Sequence, residues 1–279
     1  MKHPARRRTL ALRSAAFLPL ALASSLACAQ QSPALDRVSV WLGGYVAQAD
    51  TTIGASDKND QFSGDFNLED DLGFSDRKSV PRARLDFLVG DSQGFSLDYY
   101  SVNRSRTKSL ARSISYDGND YSAAATVRGK LNFDFGSASY RWWFGQGNDV
   151  FGLGLGGAYY RVNASISGEA SVNGEPAGET SSSTSDSAWA PMLQLGWRHA
   201  FNDQWRMYAD ASGVKKNGGR LNGHILNAAV GVEWFPWQNV GFGAEYGYTR
   251  IVLRQRKHDY DANLDMKLDG PSLFVRLRF

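Results

Sequence analysis

Residues 271–279 read Pro-Ser-Leu-Phe-Val-Arg-Leu-Arg-Phe, and the alternation in this last stretch decides the fold. One face of an extended chain here carries only apolar side chains: Leu273, Val275, Leu277 and Phe279. The other face carries Ser272, Phe274, Arg276 and Arg278. Successive side chains of a β-strand point to opposite faces, so this stretch predicts a strand with one apolar and one mostly polar face.

The same alternation recurs along the chain between short turn sequences. It predicts about ten strands, near 37–49, 79–90, 95–116, 121–144, 150–168, 186–201, 205–216, 221–236, 240–257 and 262–279. Strands that are only half apolar indicate an all-β, transmembrane, antiparallel up-and-down barrel, in which one face meets lipid and the other lines the lumen. Eight or twelve strands are the alternatives in number, and a soluble β-sandwich is the alternative fold.

Two further features favour the barrel over the sandwich. Short turns alternate with longer polar segments such as 50–78 and 169–185, as periplasmic turns alternate with external loops in outer-membrane barrels. Aromatic residues also cluster near the predicted periplasmic strand ends, where an interfacial girdle is expected. They are Tyr140, Trp142, Phe144, Phe151, Trp197, Phe201, Trp205, Trp234, Phe235 and Trp237.

One predicted strand, 121–144, breaks the rule of an apolar lipid face. Leu131, Phe133 and Phe135 share one phase, whereas the apolar residues after position 137 have the opposite phase. A β-bulge near Gly136 or Ser137 would restore one continuous apolar face and keep Asp134 out of lipid, so we predict a bulge there.

The first 29 residues have the composition of a secretory signal. Five basic residues and no acidic ones precede or flank the apolar run 15–26, which ends in Ala27-Cys28-Ala29. We therefore predict cleavage near Ala29, with residues 1–29 as signal peptide and 30–279 as the barrel domain. About twelve apolar residues are too few for a membrane-spanning helix. A lipidated Cys28 is the alternative.

Removal of the signal peptide changes the net charge of the chain. The precursor has a formal net charge of +3, but the signal holds five of its 31 Lys and Arg residues, so residues 30–279 carry a net charge of −2. The basic pI of the precursor is therefore no indication of nucleic-acid binding. Nor does the predicted mature chain contain a cysteine for disulfide or redox chemistry.

The end of the chain resembles a known targeting signal. A terminal Phe279 preceded by Leu273, Val275 and Leu277 is similar to the carboxy-terminal β-signal of Gram-negative outer-membrane proteins, which the barrel-assembly machinery recognises. The stretch 67–74 (Asn-Leu-Glu-Asp-Asp-Leu-Gly-Phe), followed by Pro81, resembles a segment of uncharacterised small Gram-negative barrels. These resemblances imply a bacterial outer-membrane β-barrel, OmpA- or OmpW-like or omptin-like in architecture. They imply no particular activity.

The predicted lumen face carries charges of both signs. We predict a lumen charge network of Arg82, Arg84, Asp86, Asp98, Arg141, Arg198, Asp210, Glu233, Glu245 and Arg276, and Arg206 and Arg278 fall on the same face. Ten strands enclose a narrow space, so paired Arg and carboxylate side chains would fill it as a plug. The alternative is a narrow polar pore that passes small solutes.

A second set of cations lies near the predicted outer strand ends: Arg104, Arg106, Lys215, Lys216, Arg254, Arg256 and Lys257. Guanidinium and ammonium groups match phosphate oxygens well, so we predict contacts with lipopolysaccharide and outer-membrane lipids at this rim. The competing interpretation is that the charges only keep external loops soluble. The loops 50–78 and 169–185 leave open an adhesin-like interaction role, and the sequence does not define an oligomeric state.

No residue is predicted to be catalytic, and no metal or cofactor is expected. Asp70-Asp71 and His258-Asp259 superficially suggest the acidic pair and His of omptin-like proteases, but the spacing differs from that of the family. The carboxylates of residues 69–71 lack the further spaced oxygen ligands of an EF-hand. The sequence thus predicts a non-enzymatic barrel with a structural or passive permeation role. A protease or lipid-modifying enzyme at the cell surface is the alternative.

Deletion of Phe279 should impair assembly, because the terminal strand carries the residues expected to be recognised during membrane insertion. The measurement is the amount of heat-modifiable, membrane-inserted protein in cells that express the full chain or the shortened one. Wild-type amounts of inserted protein after the deletion would contradict the assignment.

Overall fold

The structure, a computed structural model, describes residues 32–57, 63–109, 114–116, 119–121, 126–172, 175–219, 221–256 and 260–279. The predicted signal peptide, residues 1–29, lies outside the described residues. The described residues include no helix long and apolar enough to cross a membrane.

The described residues form thirteen strands. They are β1 (Val38–Asp57), β2 (Ser63–Asn67), β3 (Arg77–Val89), β4 (Gln93–Ser109), β5 (Ile114–Tyr116), β6 (Asn119–Tyr121), β7 (Thr126–Phe144), β8 (Asp149–Val172), β9 (Glu175–Ala200), β10 (Trp205–Lys216), β11 (Leu221–Trp234), β12 (Val240–Arg256) and β13 (Tyr260–Arg278).

Ten of these strands close into an antiparallel barrel. The order around the ring is β8, β7, β4, β3, β1, β13, β12, β11, β10 and β9, and a β8–β9 pairing joins the two ends. The first and last strands meet through reciprocal backbone hydrogen bonds between Val38 and Phe279, of 3.2 and 2.9 Å. The predicted all-β barrel of about ten strands is confirmed.

Two predicted loops contain more strand than the sequence suggested. Segment 169–185 is not a loop, because β8 and β9 continue through it and pair as far as Val172 and Glu175. Segment 50–78 likewise begins with the upper part of β1, and β2 pairs with that part. A sequence rich in Ser and Thr has the composition of a loop. Thr nevertheless fits a pleated strand well, and Ser is tolerated in a strand that is exposed to water.

The outer surface of the barrel has an apolar band between two levels of aromatic residues. The lower level includes Trp142, Phe144, Phe151, Trp205, Trp234 and Trp237, and the upper level includes Tyr99, Tyr159, Trp189 and Tyr246. On β8 the span from Phe151 to Tyr159 is nine residues, or about 20 Å along the membrane normal for a tilted strand. That height suits the hydrocarbon region of an outer membrane.

Above the upper aromatic level the barrel changes polarity. Outward positions become polar there, as with Asn103 on β4, Lys130 on β7 and Ser185 on β9. Inward positions become apolar and form the largest core cluster, which includes Leu131, Phe133, Phe135, Ile225, Ile251, Leu253 and Met266. The extracellular part is therefore built like a water-soluble barrel on top of a membrane barrel.

This change of polarity explains why the predicted bulge is absent. β7 pairs with β4 and with β8 without any register shift at Gly136 or Ser137. Phe133 and Phe135 point into the apolar core, and Asp134 faces outward, where Ser101 Oγ donates a 2.8 Å hydrogen bond to it. The prediction of a bulge was wrong because it assumed that the lipid-facing side is the apolar side along the whole strand.

Candidate functional site

The lumen at membrane level contains a charge network centred on Asp210 of β10. Arg84 of β3 donates a 3.0 Å hydrogen bond and Arg198 of β9 a 2.9 Å hydrogen bond to its Oδ2 atom. The Nη1 atom of Arg141, on β7, lies 3.6 Å from Oδ1. β3 and β10 are five strands apart in either direction around the ring. The bond between Arg84 and Asp210 therefore crosses the full width of the lumen.

A second group lies beside this centre. Arg82 donates two hydrogen bonds to Asp98, of 2.9 and 2.5 Å, and its Nη1 atom lies 3.8 Å from Glu245. The hydroxyl of Tyr208 donates a 2.6 Å hydrogen bond to Glu245. A carboxylate shared between cationic and hydroxyl donors is a strong and directional acceptor, so this group fixes its side chains across the lumen.

Small residues on β8 make room for the network. The inward positions Gly152, Gly154 and Gly156 leave the space that side chains from neighbouring strands occupy. A Cβ atom on Gly154 would lie 2.9 Å from Cγ of Arg141. These glycines therefore leave room for Trp143, Arg141 and Gln194 of the neighbouring strands.

The periplasmic opening is closed by residues that precede β1. Asp36 receives a 2.7 Å hydrogen bond from Arg206, and its Oδ2 atom lies 3.4 Å from Nε of Arg276. Arg276 also donates a 2.7 Å hydrogen bond to Glu233. Ala34 is buried together with Val150 and Ala200. The segment before the first strand thus folds into the barrel mouth and adds a carboxylate to the arginines there.

The extracellular side is narrowed by the loop between β2 and β3. Leu68, Leu72 and Phe74 of this loop are buried in the large apolar core. Glu69 accepts a 2.5 Å hydrogen bond from Arg104 and a 2.8 Å hydrogen bond from the backbone N–H of Thr51. The loop is therefore fixed inside the barrel by apolar burial and by an ion pair.

Residues 69–71, the acidic stretch of the same loop, take part in hydrogen bonds within the loop. The carboxylate of Asp71 accepts a 2.9 Å hydrogen bond from the backbone N–H of Asn67. The side-chain oxygen of Asn67 accepts hydrogen bonds from the backbone N–H groups of Glu69 and Asp70. No group of three or more His, Cys, Asp or Glu side chains that could hold a metal ion occurs in the part of the chain that the structure describes.

All ten residues predicted for the lumen network face the interior. Nine of them meet through the contacts above, and Asp86 lies at the margin, 4.0 Å from Nη2 of Arg276. Sequence reasoning missed Asp36, Gln194 and Tyr208. Gln194 accepts hydrogen bonds from Ser139 and Arg141, of 2.7 and 2.8 Å. Its inward phase on β9 could have identified it, whereas Asp36 precedes the first strand and has no periodic signal.

The predicted rim cations do not form one group. Lys215, Arg254 and Arg256 are exposed at the upper ends of β10 and β12, Arg106 is exposed on β4, and Lys216 is half-buried. Lys257 lies outside the described residues, as do His258 and Asp259. Arg104 requires a correction: it is 4% exposed and bonded to Glu69 inside the barrel, so it is not a rim residue.

Phe235 also differs from its predicted place in the lower aromatic girdle. It is 2% exposed and lies inside the periplasmic opening, with the guanidinium carbon of Arg278 3.9 Å from its ring centroid and that of Arg206 at 5.0 Å. It packs against cations by a face-on contact rather than facing lipid.

The chain has the fold of solved outer-membrane β-barrels. It is similar to the outer membrane protease OmpT from Escherichia coli, with a TM-score of 0.52 and 10% sequence identity over 87% of this chain and 96% of that chain. It is also similar to the outer membrane protein OprG from Pseudomonas aeruginosa, with a TM-score of 0.40 and 11% identity over 89% and 100%. No protein-family model and no curated protein matches the sequence. Identities this low establish the fold alone.

Substitution of Asp210 should strongly destabilise the barrel. In Asp210→Ala, three lumen arginines lose their shared carboxylate, and we expect the free energy of unfolding to fall by about 3–5 kcal/mol. Asp50→Ala is the matched control: its ion pair with Lys267, at 3.8 Å, lies on the exposed outer face, so we expect a loss below about 1 kcal/mol. Urea unfolding followed by Trp fluorescence measures both. Equal losses in the two variants would contradict the role of Asp210.

Proposed function

We propose that this chain is a non-enzymatic structural barrel of the outer membrane whose lumen is closed to solutes. The observation that carries this proposal is the direct hydrogen bond between side chains of opposite strands, Arg84 and Asp210. The segment around Asp36 below it and the buried loop residues Leu68 and Phe74 above it add two further obstructions. The lumen charges allow two interpretations, a plug or a pore. Closure at three levels favours the plug.

The proposal includes a route to the membrane. Residues 1–29 direct export and are removed near Ala29, and the barrel-assembly machinery recognises Leu273, Val275, Leu277 and Phe279. In support, the three aliphatic residues face outward on β13, so they would be accessible before the strand is inserted. The backbone pairing of Phe279 with Val38 at the seam between the last and first strands gives the terminal residue a further role in closure.

Single-channel recording tests the closed lumen. The refolded chain 30–279 in a planar bilayer should give no steady conductance, and Arg198→Ala combined with Glu233→Ala should also stay silent, because both changes leave the Arg84–Asp210 bond and the buried loop residues in place. Heat modifiability of each sample shows that it is folded, and a general porin in the same bilayers is the positive control. Steady conductance of the unaltered chain would overturn the proposal.

We also propose that the outer rim contacts phosphate groups of lipopolysaccharide. Lys215, Arg254 and Arg256 support this, because they are exposed on outward positions above the apolar band. Lipopolysaccharide extends above the hydrocarbon region, and cationic donors bind its phosphate oxygens by charge-assisted hydrogen bonds. Arg250 is half-buried and is not included in this set, because its guanidinium donates a 2.9 Å hydrogen bond to Asp265.

A triple variant tests the rim. Replacement of Lys215, Arg254 and Arg256 by Ala should reduce the amount of lipopolysaccharide retained by the purified barrel and the increase in melting temperature that added lipopolysaccharide produces. Arg37→Ala is the control, because Arg37 is an exposed cation at the periplasmic end. If the triple variant retained as much lipopolysaccharide as the control, the rim proposal would fail.

A further inference from the structure

A pocket opens at the periplasmic mouth of the barrel, between two turns. The turn after β9 contributes Asp203 and Gln204 to its lining, and the turn after β11 contributes Pro236, Trp237 and Gln238. The pocket has a volume of about 450 Å³. Binding sites for small molecules usually have volumes of roughly 300–1,000 Å³, so the pocket has the size of a ligand site.

Two arginines, Arg206 and Arg278, line the pocket beside the buried ring of Phe235. Nε of Arg278 donates a 2.5 Å hydrogen bond to the carbonyl of Gln238, and its Nη2 atom donates one of 3.4 Å to the carbonyl of Asp203. The guanidinium of Arg278 is therefore held between the two turns. A guanidinium has more N–H donors than these two bonds use, so donors remain for a ligand.

Of the arginines Arg206, Arg276 and Arg278 at the periplasmic mouth, Arg278 has the weakest ion pair. Arg206 donates a 2.7 Å hydrogen bond to Asp36, and Arg276 donates one of 2.7 Å to Glu233. Nη1 of Arg278 lies 3.9 Å from Asp36, and in the described part of the chain no other carboxylate lies within 4.0 Å of this guanidinium. Its incompletely balanced charge favours an anion with one negative charge. A phosphate group would bring about −1.5 to −2, more than one arginine balances.

The rest of the lining is partly apolar and partly amide. Phe235 and Pro236 provide apolar surface, and the side chain of Trp237 is exposed beside them. Gln204 and Gln238 are exposed on the two turns. A glutamine side chain has both a donor and an acceptor, as a peptide group has. Glutamines next to apolar surface therefore suit a peptide with apolar side chains.

We propose that this pocket binds the carboxyl end of a short periplasmic peptide. The peptide carboxylate accepts charge-assisted hydrogen bonds from Arg278, and buried Arg206 adds its positive charge. Apolar side chains of the peptide lie against Phe235 and Trp237. A lipid headgroup fits less well, because both arginines face the barrel interior rather than the membrane. This role is independent of whether the lumen conducts, since the pocket contains no residue of the network around Asp210.

Peptide binding to the refolded chain 30–279 in lipid bilayer discs tests the proposal. The probe is a tripeptide of Ala and Leu with a fluorophore at its amino end and a free carboxylate, and fluorescence anisotropy measures its binding. The same tripeptide with a carboxyl-terminal amide is the control ligand. We expect saturable binding of the acid and binding at least about tenfold weaker for the amide, because the amide has no charge to pair with a guanidinium.

Several outcomes would overturn the proposal. They are absence of saturable binding of the acid, equal binding of the acid and the amide, and competition by acetate that is as strong as competition by the unlabelled tripeptide. The last outcome would show a site for simple anions, because acetate has the carboxylate but lacks the apolar side chains and peptide groups.

Substitutions locate the binding site. Arg278→Gln should remove most of the difference in affinity between the acid and the amide. Arg37→Gln, which removes an exposed cation outside the pocket lining, should leave both affinities unchanged. Equal effects of these two substitutions would refute the assigned pocket, and heat modifiability shows that each variant is folded.

A third variant keeps the test decisive if Arg278→Gln does not fold, since Arg278 belongs to the terminal strand. Asp203→Asn removes the exposed carboxylate of the pocket lining and should tighten binding of the acid about twofold, because one repulsive charge is lost. Binding of the amide should not change. Unchanged or weaker binding of the acid to this variant would contradict the proposal.

Discussion

Closure of the backbone ladder is the constraint on which the rest of this structure depends. In the hydrocarbon region an unpaired N–H or C=O group has no water to bind, so each strand at that level must have a partner on both edges. Ten strands satisfy this requirement when β8 pairs with β9 and Val38 pairs with Phe279. The resulting ring is narrow enough for side chains of opposite strands to touch.

The narrow ring in turn determines what its interior can contain. Long side chains that point inward from ten strands have little water around them, and isolated charges would be unstable there. The arginines and carboxylates therefore share partners, most clearly at Asp210, which meets three arginines from three strands. The same network that makes the interior chemically tolerable also obstructs it, and this is why a closed structural barrel is the function that the interior supports best.

Above the membrane the constraint is relaxed, and the structure changes accordingly. Water can bind backbone groups there, so β9 can continue above Met192, where its ladder with β10 ends. Water also replaces lipid as the outer solvent, and the apolar side chains move to the interior around Phe133 and Leu253. The extracellular part thus has an apolar interior, which the membrane part lacks.

The sequence by itself determined the strand class and the inward direction of Arg84, Asp210 and Glu233, because a period of two depends only on local backbone geometry. It indicated about ten barrel strands and left eight or twelve open. It also indicated which turns are short. Tertiary structure alone decided that Arg104 is buried against Glu69, that Asp36 closes the periplasmic mouth and that β9 extends beyond β10. It also decided where the polarity of the two faces reverses. These features depend on which strands meet across the ring and on the height of each residue relative to the membrane, and alternation along one strand contains neither quantity.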